Sequence, residues 1–436
     1  MSVTRPPAQS ARRSQVLAWA LWDCGSTGVG AIVVTFVFSV YLTDTVGAGL
    51  PSETSPASWL GWALAGAGLV VGLLAPVTGI WVDAQWRRRR VLAALTGLAV
   101  LLTSAMSLVR EDYHYLWLGL ILLAAAEATI ELATVPYNAM LRQLSTPETS
   151  GRVSGFGWAM GYCGSVVLLL IVYVGFISGD GGLLGLPTDD GQNVRAAMVL
   201  AAVWFALFAV PVLVAVPNPV PTPGERRAAI GFFGAYRKLW SEIVGEWRRD
   251  RNVVYYLLAS VVFRDGLAGV FAFGAVLGVS VFGVSKADVL LFGVSASVVA
   301  AIGAVLGGLL DDRVGSKPVI IGSLASMVAV GLTLLTLSGP LAFWICGLAL
   351  CMFIGPAQSS ARTLMLRVSA EGKEGVAFGL YTTTGRAASF LAPTMFATFI
   401  SIFGTDRAGL GGLCVVLTAG LLAMLAVRVQ HHQAVR

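Results

Sequence analysis

Apolar runs of about 20 residues, the length that carries a helix across a bilayer, recur along the chain between short polar breaks. On that pattern the first half predicts α1 (16–41), α2 (58–82), α3 (91–109), α4 (115–139), α5 (153–177) and α6 (194–216). The second half predicts α7 (253–282), α8 (287–310), α9 (318–338), α10 (340–362), α11 (375–403) and α12 (408–428). The longest connection, 217–252, lies between the two sets. Pro217, Pro219, Pro221 and Pro223 forbid helix at its start. Phe233, Tyr236, Trp240, Ile243 and Trp247 then follow three to four apart among Arg and Lys, a pattern that predicts a helix lying on the membrane surface. The expected division is a six-helix half at 1–216, a linker at 217–252 and a second six-helix half at 253–436. The chain reads as an all-α membrane protein with twelve transmembrane helices.

Charge fixes an orientation for this bundle. Of 29 Lys and Arg residues, Arg264 and Arg386 fall inside helices, which leaves 27 for loops and tails. Only four of these, Arg110, Arg195, Lys286 and Arg407, lie in odd-numbered connections. The tails and even-numbered connections hold the rest, including the run Arg87 to Arg90. Positive loops stay in the cytoplasm, so both termini are expected there, in a multi-pass protein of the plasma or inner membrane. The net charge of +6 follows from this asymmetry and implies no nucleic-acid partner. The N-terminus shows no cleavage pattern, so no removable signal peptide is expected.

Composition removes several function classes. The chain is 56% hydrophobic and 12% charged, about half the charge of a soluble domain. That excludes a disulfide scaffold, a disordered chain and a soluble enzyme with one anchor. Cys24, Cys163, Cys346, Cys351 and Cys414 sit in apolar runs without Cys-x-x-Cys spacing, as small buried hydrophobes would. His114, His431 and His432 lie in a turn and the tail, away from any metal or nucleophile partner. There is no phosphate-binding loop and no dinucleotide fingerprint. Neither enzymatic activity, a cofactor nor a metal is expected.

Two matching loops carry a signature. After α8 the chain reads Gly308-Leu-Leu-Asp-Asp312-Arg313-Val-Gly315-Ser-Lys317, and after α2 it reads Gly79-Ile-Trp-Val-Asp83-Ala84-Gln-Trp86-Arg87-Arg88. Both fit Gly-x-x-x-Asp followed by basic residues, and here the chain resembles the major facilitator superfamily. The α2 copy departs from the pattern at Ala84 and Trp86, where the superfamily has Arg and Gly. The resemblance implies that Gly79, Asp83, Arg87, Arg88, Gly308, Asp312, Arg313, Gly315 and Lys317 form a latch between the halves on the cytoplasmic side. Five further stretches resemble its vacuole-effluxer-like branch, relatives of fungal vacuolar amino-acid effluxers. They are Trp19 to Asp23, Pro136-Tyr137-Asn138, Ser154 to Tyr162, Arg264-Asp265-Gly266, and Phe378 to Tyr381 with Gly385-Arg386.

Ionisable groups at membrane depth mark functional positions by default. Asp23 in α1, Glu127 and Glu131 in α4, Arg264 and Asp265 in α7, and Arg386 in α11 qualify. The superfamily resemblance implies that α1, α4, α7 and α10 line a central cavity. Glu127 and Glu131 share a face, and Thr134 and Asn138 extend the stripe. The two glutamates are candidates to carry protons, and Arg386 or Arg264 to bind an anionic group of the solute, with pairing of Arg264 to an α4 glutamate as the structural alternative. Glycines recurring every fourth position, at 68 and 72, 157 and 161, and 303 and 307, are expected to pack the halves together. The reading is a secondary transporter, expected as a monomer, that moves a small solute by alternating access. The resemblance favours amino-acid efflux. A proton-coupled exporter of cationic or amphipathic compounds and a solute sensor without flux are the alternatives.

Overall fold

The computed structural model describes residues 12–51, 54–179, 181–217, 232–249 and 251–428. All regular structure among them is helical, and twelve helices are long and apolar enough to cross a membrane. The spans run longer than the apolar runs that mark them. They are α1 Arg13–Gly49, α2 Pro56–Asp83, α3 Gln85–Leu108, α4 Tyr113–Leu144, α5 Ser150–Ile177 and α6 Asp189–Ala215. In the second half they are α7 Arg251–Ser280, α8 Lys286–Val314, α9 Ser316–Thr336, α10 Pro340–Val368, α11 Glu374–Phe403 and α12 Asp406–Ala426. Polar side chains near helix ends join the helix because the backbone ladder is satisfied inside it, wherever the apolar run stops. Leu69, Leu101, Ile121, Leu207 and Leu422 stand exposed on the bundle's outside, as lipid contact requires.

The two halves meet along four helix pairs. α5 packs on α8 and α10, α2 packs on the first part of α11, and α4 also reaches α11. All of these contacts begin at one end of the bundle, the basic face, where the 83–90, 142–152 and 367–374 segments lie. Glycines allow the closest approaches: a Cβ on Gly79 would strike Gly375, and one on Gly155 would strike Ala304. Contact extends along α2 as far as Gly72, whose carbonyl accepts from Thr383, and along α5 to Tyr162 against Ala300 and Ala301. Past Ala387 α11 breaks, and its outer part Leu391–Phe403 packs mainly on α7 and α12 of its own half. Phe390, Ile402 and Phe403 there are exposed. The cleft between the halves is closed at the basic face and open toward the other.

Three expectations change here. Gly68 and Gly72 have open space where a Cβ would sit, so their lack of a side chain makes room for no neighbouring helix. Gly161 faces Thr27 within the first half, while Gly303 and Gly307 face Met352 and Pro356 within the second. Gly161, Gly303 and Gly307 therefore pack within their own halves, and of the expected set Gly157 alone, against Trp19 and Arg362, also meets the other half. Cys163 is exposed, unlike the other four cysteines.

The linker forms a helix at Phe232–Arg249, with Trp240 exposed. Its Leu239 is buried against Val77 and Ile80 of α2 and Val376 of α11, and Tyr236 donates to the Leu73 carbonyl. The helix thus covers the seam where the two halves touch. Pro219 to Pro223, Ile243, Trp247 and the chain ends, with His431 and His432, lie outside the side chains described.

Candidate functional site

At mid-depth the cleft holds two sets of ion pairs that cross between the halves. Arg386, about 18 Å into α11 at 1.5 Å per residue, donates to Glu127 at 2.8 Å and to Glu131 at 2.5 Å. One guanidinium therefore serves both α4 carboxylates. Their side chains keep 19% and 31% of their exposure and Arg386 keeps 27%, so the triad is reachable from the open side. Both bonds leave from the same Nη2, so Arg386 ties α11 to α4 through one corner of its guanidinium. Thr134 turns its hydroxyl back to the Glu131 carbonyl.

Deeper toward the basic face, Asp23 pairs with Arg362 of α10 at 3.1 Å and accepts from the Tyr137 hydroxyl at 2.8 Å. Arg362 also donates to the Ser154 hydroxyl at 2.9 Å, the Ser154 carbonyl at 2.6 Å and Asn138 Oδ1 at 3.3 Å. Trp19 and Trp158 flank its guanidinium at 4.9 and 5.5 Å. Trp19 stacks on Tyr137 at 4.5 Å and donates to its carbonyl at 3.0 Å, which fixes the α1–α4 contact just after Pro136. With α1, α4 and α5 on one side and α10 on the other, this network forms the floor of the cleft. The run from Trp19 to Asp23, Pro136-Tyr137-Asn138 and Ser154 converge on it.

The neighbours Arg264 and Asp265 point to separate environments, as a 100° step along a helix requires. Arg264 lies over the Tyr381 ring at 3.8 Å and donates to the Tyr381 carbonyl at 2.8 Å. It has no acidic partner among the described residues, so it does not pair with an α4 glutamate. Its guanidinium lies 2.9 Å from where a Cβ on Gly385 would be, and Gly385 is the chain neighbour of Arg386. Asp265 is buried and accepts from the Ala392 N–H at 2.5 Å. It caps the outer part of α11, where the carboxylate meets the positive end of a helix.

At the basic face the two signature loops each reach into the opposite half. Asp312 accepts from the Gly151 and Arg152 N–H groups, at 2.7 and 3.1 Å, at the start of α5. Arg152 pairs with it at 3.2 Å, and Arg367 joins Asp311 at 2.5 Å. In the pseudo-symmetric position Asp83 accepts from the Val376 N–H at 3.1 Å at the start of α11. There Arg88 and Arg142 close on Glu374 at 2.8 and 2.5 Å, and both Arg88 and Glu374 are fully buried.

Several latch candidates do other work. Lys317 donates to the Leu425 and Val427 carbonyls and closes the end of α12 within its own half. Arg313 is exposed and unpaired among the described residues, and Arg87 stacks on Trp86 at 4.8 Å. Gly315, at φ 90°, makes the α8–α9 turn in a conformation that favours glycine. Gly308 faces Gly151 across the seam. Arg362, Glu374, Arg142 and Arg367 escape the sequence reading, because each lies near a helix end where a charge reads as solvated. The signal for Arg362 is its place on α10, one of the expected cavity helices.

No cluster among the described residues could hold a metal ion. A family described as "Vacuole effluxer Atg22 like" matches residues 43–434. The uncharacterized MFS-type transporter YxiO of Bacillus subtilis is 21% identical over 411 residues, 94% of either chain. Autophagy-related protein 22 of Cryptococcus neoformans is 24% identical over 299 residues, 65% of this chain and 53% of its own, so the chain spans about half the length of that fungal relative. The fold is similar to the proton:xylose symporter XylE, with a TM-score of 0.69 at 16% identity over 94% of each chain. It is also similar to the fucose:proton symporter FucP of E. coli, with a TM-score of 0.70 at 12% identity over 96% and 98% of the chains.

Proposed function

The chain belongs to the vacuole effluxer Atg22-like family within the major facilitator superfamily, and from that premise we propose that it exports a small zwitterionic solute, an amino acid or similar metabolite, by alternating access. It is a multi-pass membrane transporter and not an enzyme.

The charge balance of the cleft supports this solute class. Asp23 and Arg362 cancel, and Asp265 is spent on the α11 break. Glu127 and Glu131 share one arginine, which leaves negative charge on α4. Arg264 leaves positive charge on α7, in the other half. Unbalanced charge at membrane depth is costly. A solute carrying an ammonium and a carboxylate satisfies both sites at once, the carboxylate meeting the planar guanidinium of Arg264. Of the two arginines expected to offer an anion site, Arg386 then acts as the tie between the halves and Arg264 meets the solute carboxylate.

The same proposal places the basic face in the cytoplasm, in the plasma or inner membrane, so that the described conformation is open outward. It keeps the division at 1–216, 217–252 and 253–436, a monomer, and no nucleic-acid partner. Protons are its coupling ion, taken up and released at Glu127 and Glu131 when Arg386 withdraws.

Thermal unfolding of the purified chain with amino acids, organic cations and carboxylates tests the solute class, since a specific ligand stabilises the fold by mass action. Zwitterions should raise the midpoint in the parent protein and not in Arg264→Gln. Stabilisation by organic cations alone, equal in both proteins, would replace this reading with a cation exporter.

A further inference from the structure

The start of α1, the end of α4 and the start of α5 line a pocket of about 490 Å³ on the basic face, outside the cleft between the halves. Arg13 and Arg152 line it, together with Thr149 and the apolar side chains of Leu17 and Phe156, and no acid does. Each helix repeats one arrangement. Arg13 precedes Leu17 by four residues and Arg152 precedes Phe156 by four, so each arginine sits one turn, about 5.4 Å, nearer the membrane surface than an apolar partner on the same helix face. Arg13 is the first residue of its span and Arg152 the third of its own, at headgroup depth. Leu17 is 45% exposed, so the lower wall opens to lipid.

We propose that this pocket binds an anionic phospholipid of the cytoplasmic leaflet, with its phosphate between Arg13 and Arg152 and an acyl chain along Leu17 and Phe156. The proposal rests on the orientation given above, because anionic lipid is concentrated on the cytoplasmic side and basic pockets between helices there recognise headgroups. Arg152 keeps 55% of its side-chain exposure while paired with Asp312, which leaves donors for a phosphate. A lipid bound there ties α1 to the α5–α8 corner of the latch.

The test uses the full chain in detergent, with native mass spectrometry and thermal unfolding. Phosphatidylglycerol, phosphatidylcholine with the same acyl chains, and inorganic phosphate are the three probes. Phosphatidylglycerol should bind and stabilise well beyond the other two. Arg13→Gln should weaken that binding about fivefold, the effect of about 1 kcal/mol for one basic residue at an anionic surface. Leu17→Asp should weaken it as well. Because Arg13 is exposed and outside the latch, its replacement leaves the packing intact, whatever Arg152→Gln does to folding. Equal binding of the two lipids, or an unchanged affinity in Arg13→Gln, would overturn the site. Stabilisation by phosphate equal to that by phosphatidylglycerol would make it a free-anion site and overturn the lipid assignment. A normal solute response alongside failed lipid binding would leave the transport reading standing and remove only this one.

Discussion

The two corners of the basic face solve one problem with different residues. At the α5–α8 corner Asp312 meets two backbone N–H groups, and its arginine partners are partly exposed. At the α2–α11 corner Asp83 meets one N–H group, and closure depends on Glu374 buried between Arg88 and Arg142. The complete sequence signature marks the first corner, yet the second contains the more deeply buried charges. Where Ala84 and Trp86 depart from the pattern, the turn needs no positive φ, since Ala84 has φ −66°. Trp86 instead receives Arg87 and Arg90 on its ring at 4.8 and 5.4 Å. A latch is therefore defined by a carboxylate at the start of the opposing helix, and the accompanying arginines are free to come from elsewhere.

This comparison can be broken by unequal responses to substitution. The largest effect should come from Glu374→Gln, which leaves two arginines facing each other in a buried site. Losing one partner of a buried pair costs about 3–5 kcal/mol, so the closed basic face should lose most of its population. Labelling of a cysteine placed at the buried Thr363, in a background with Cys163 replaced, should rise sharply; unchanged labelling would return the closure to Asp83 alone. Asp312→Asn should act less, about 1–3 kcal/mol for weakened charge-assisted hydrogen bonds. It should slow solute counterflow while leaving affinity within a few-fold, and a large loss of affinity with intact exchange would contradict the latch role. Gly315→Ala should cost about 1–3 kcal/mol of backbone strain, whereas Ala84→Gly should cost about 0.5–1 kcal/mol. Equal losses of thermal stability would mean the two turns are alike after all.

The cleft responds to a different pair of substitutions. Glu127→Gln and Glu131→Gln should each flatten the pH dependence of uptake into proteoliposomes while exchange without a gradient persists. If both single variants and the double variant keep the parent pH profile, the proton takes another route.

Apolar run length and loop charge made the twelve spans legible, because lipid leaves a helix no other way to satisfy its backbone. Asp23, Glu127 and Glu131 were legible as charges out of place, but their partners were not. Pairing is a three-dimensional relation: Arg386 finds α4 only once α11 packs beside it, and Arg264 turns to Tyr381 because Gly385 leaves room. Arg362 and Glu374 were hidden by position, since a charge near a helix end looks solvated until the opposing half covers it. The glycine periodicity misled for a related reason. Spacing shows that a face is smooth and says nothing of what it meets, as the open space beside Gly68 and Gly72 shows.

Counterflow of a radiolabelled zwitterionic amino acid into proteoliposomes, with the parent protein and Arg264→Gln measured side by side, asks whether the cleft carries such a solute and whether Arg264 holds it. The parent should show saturable accumulation, competed by other zwitterions, and Arg264→Gln should lose at least tenfold, the effect of about 1.4 kcal/mol. Binding without any counterflow in the parent would make the protein a sensor, and equal flux in both proteins would contradict the assignment of Arg264 to the solute.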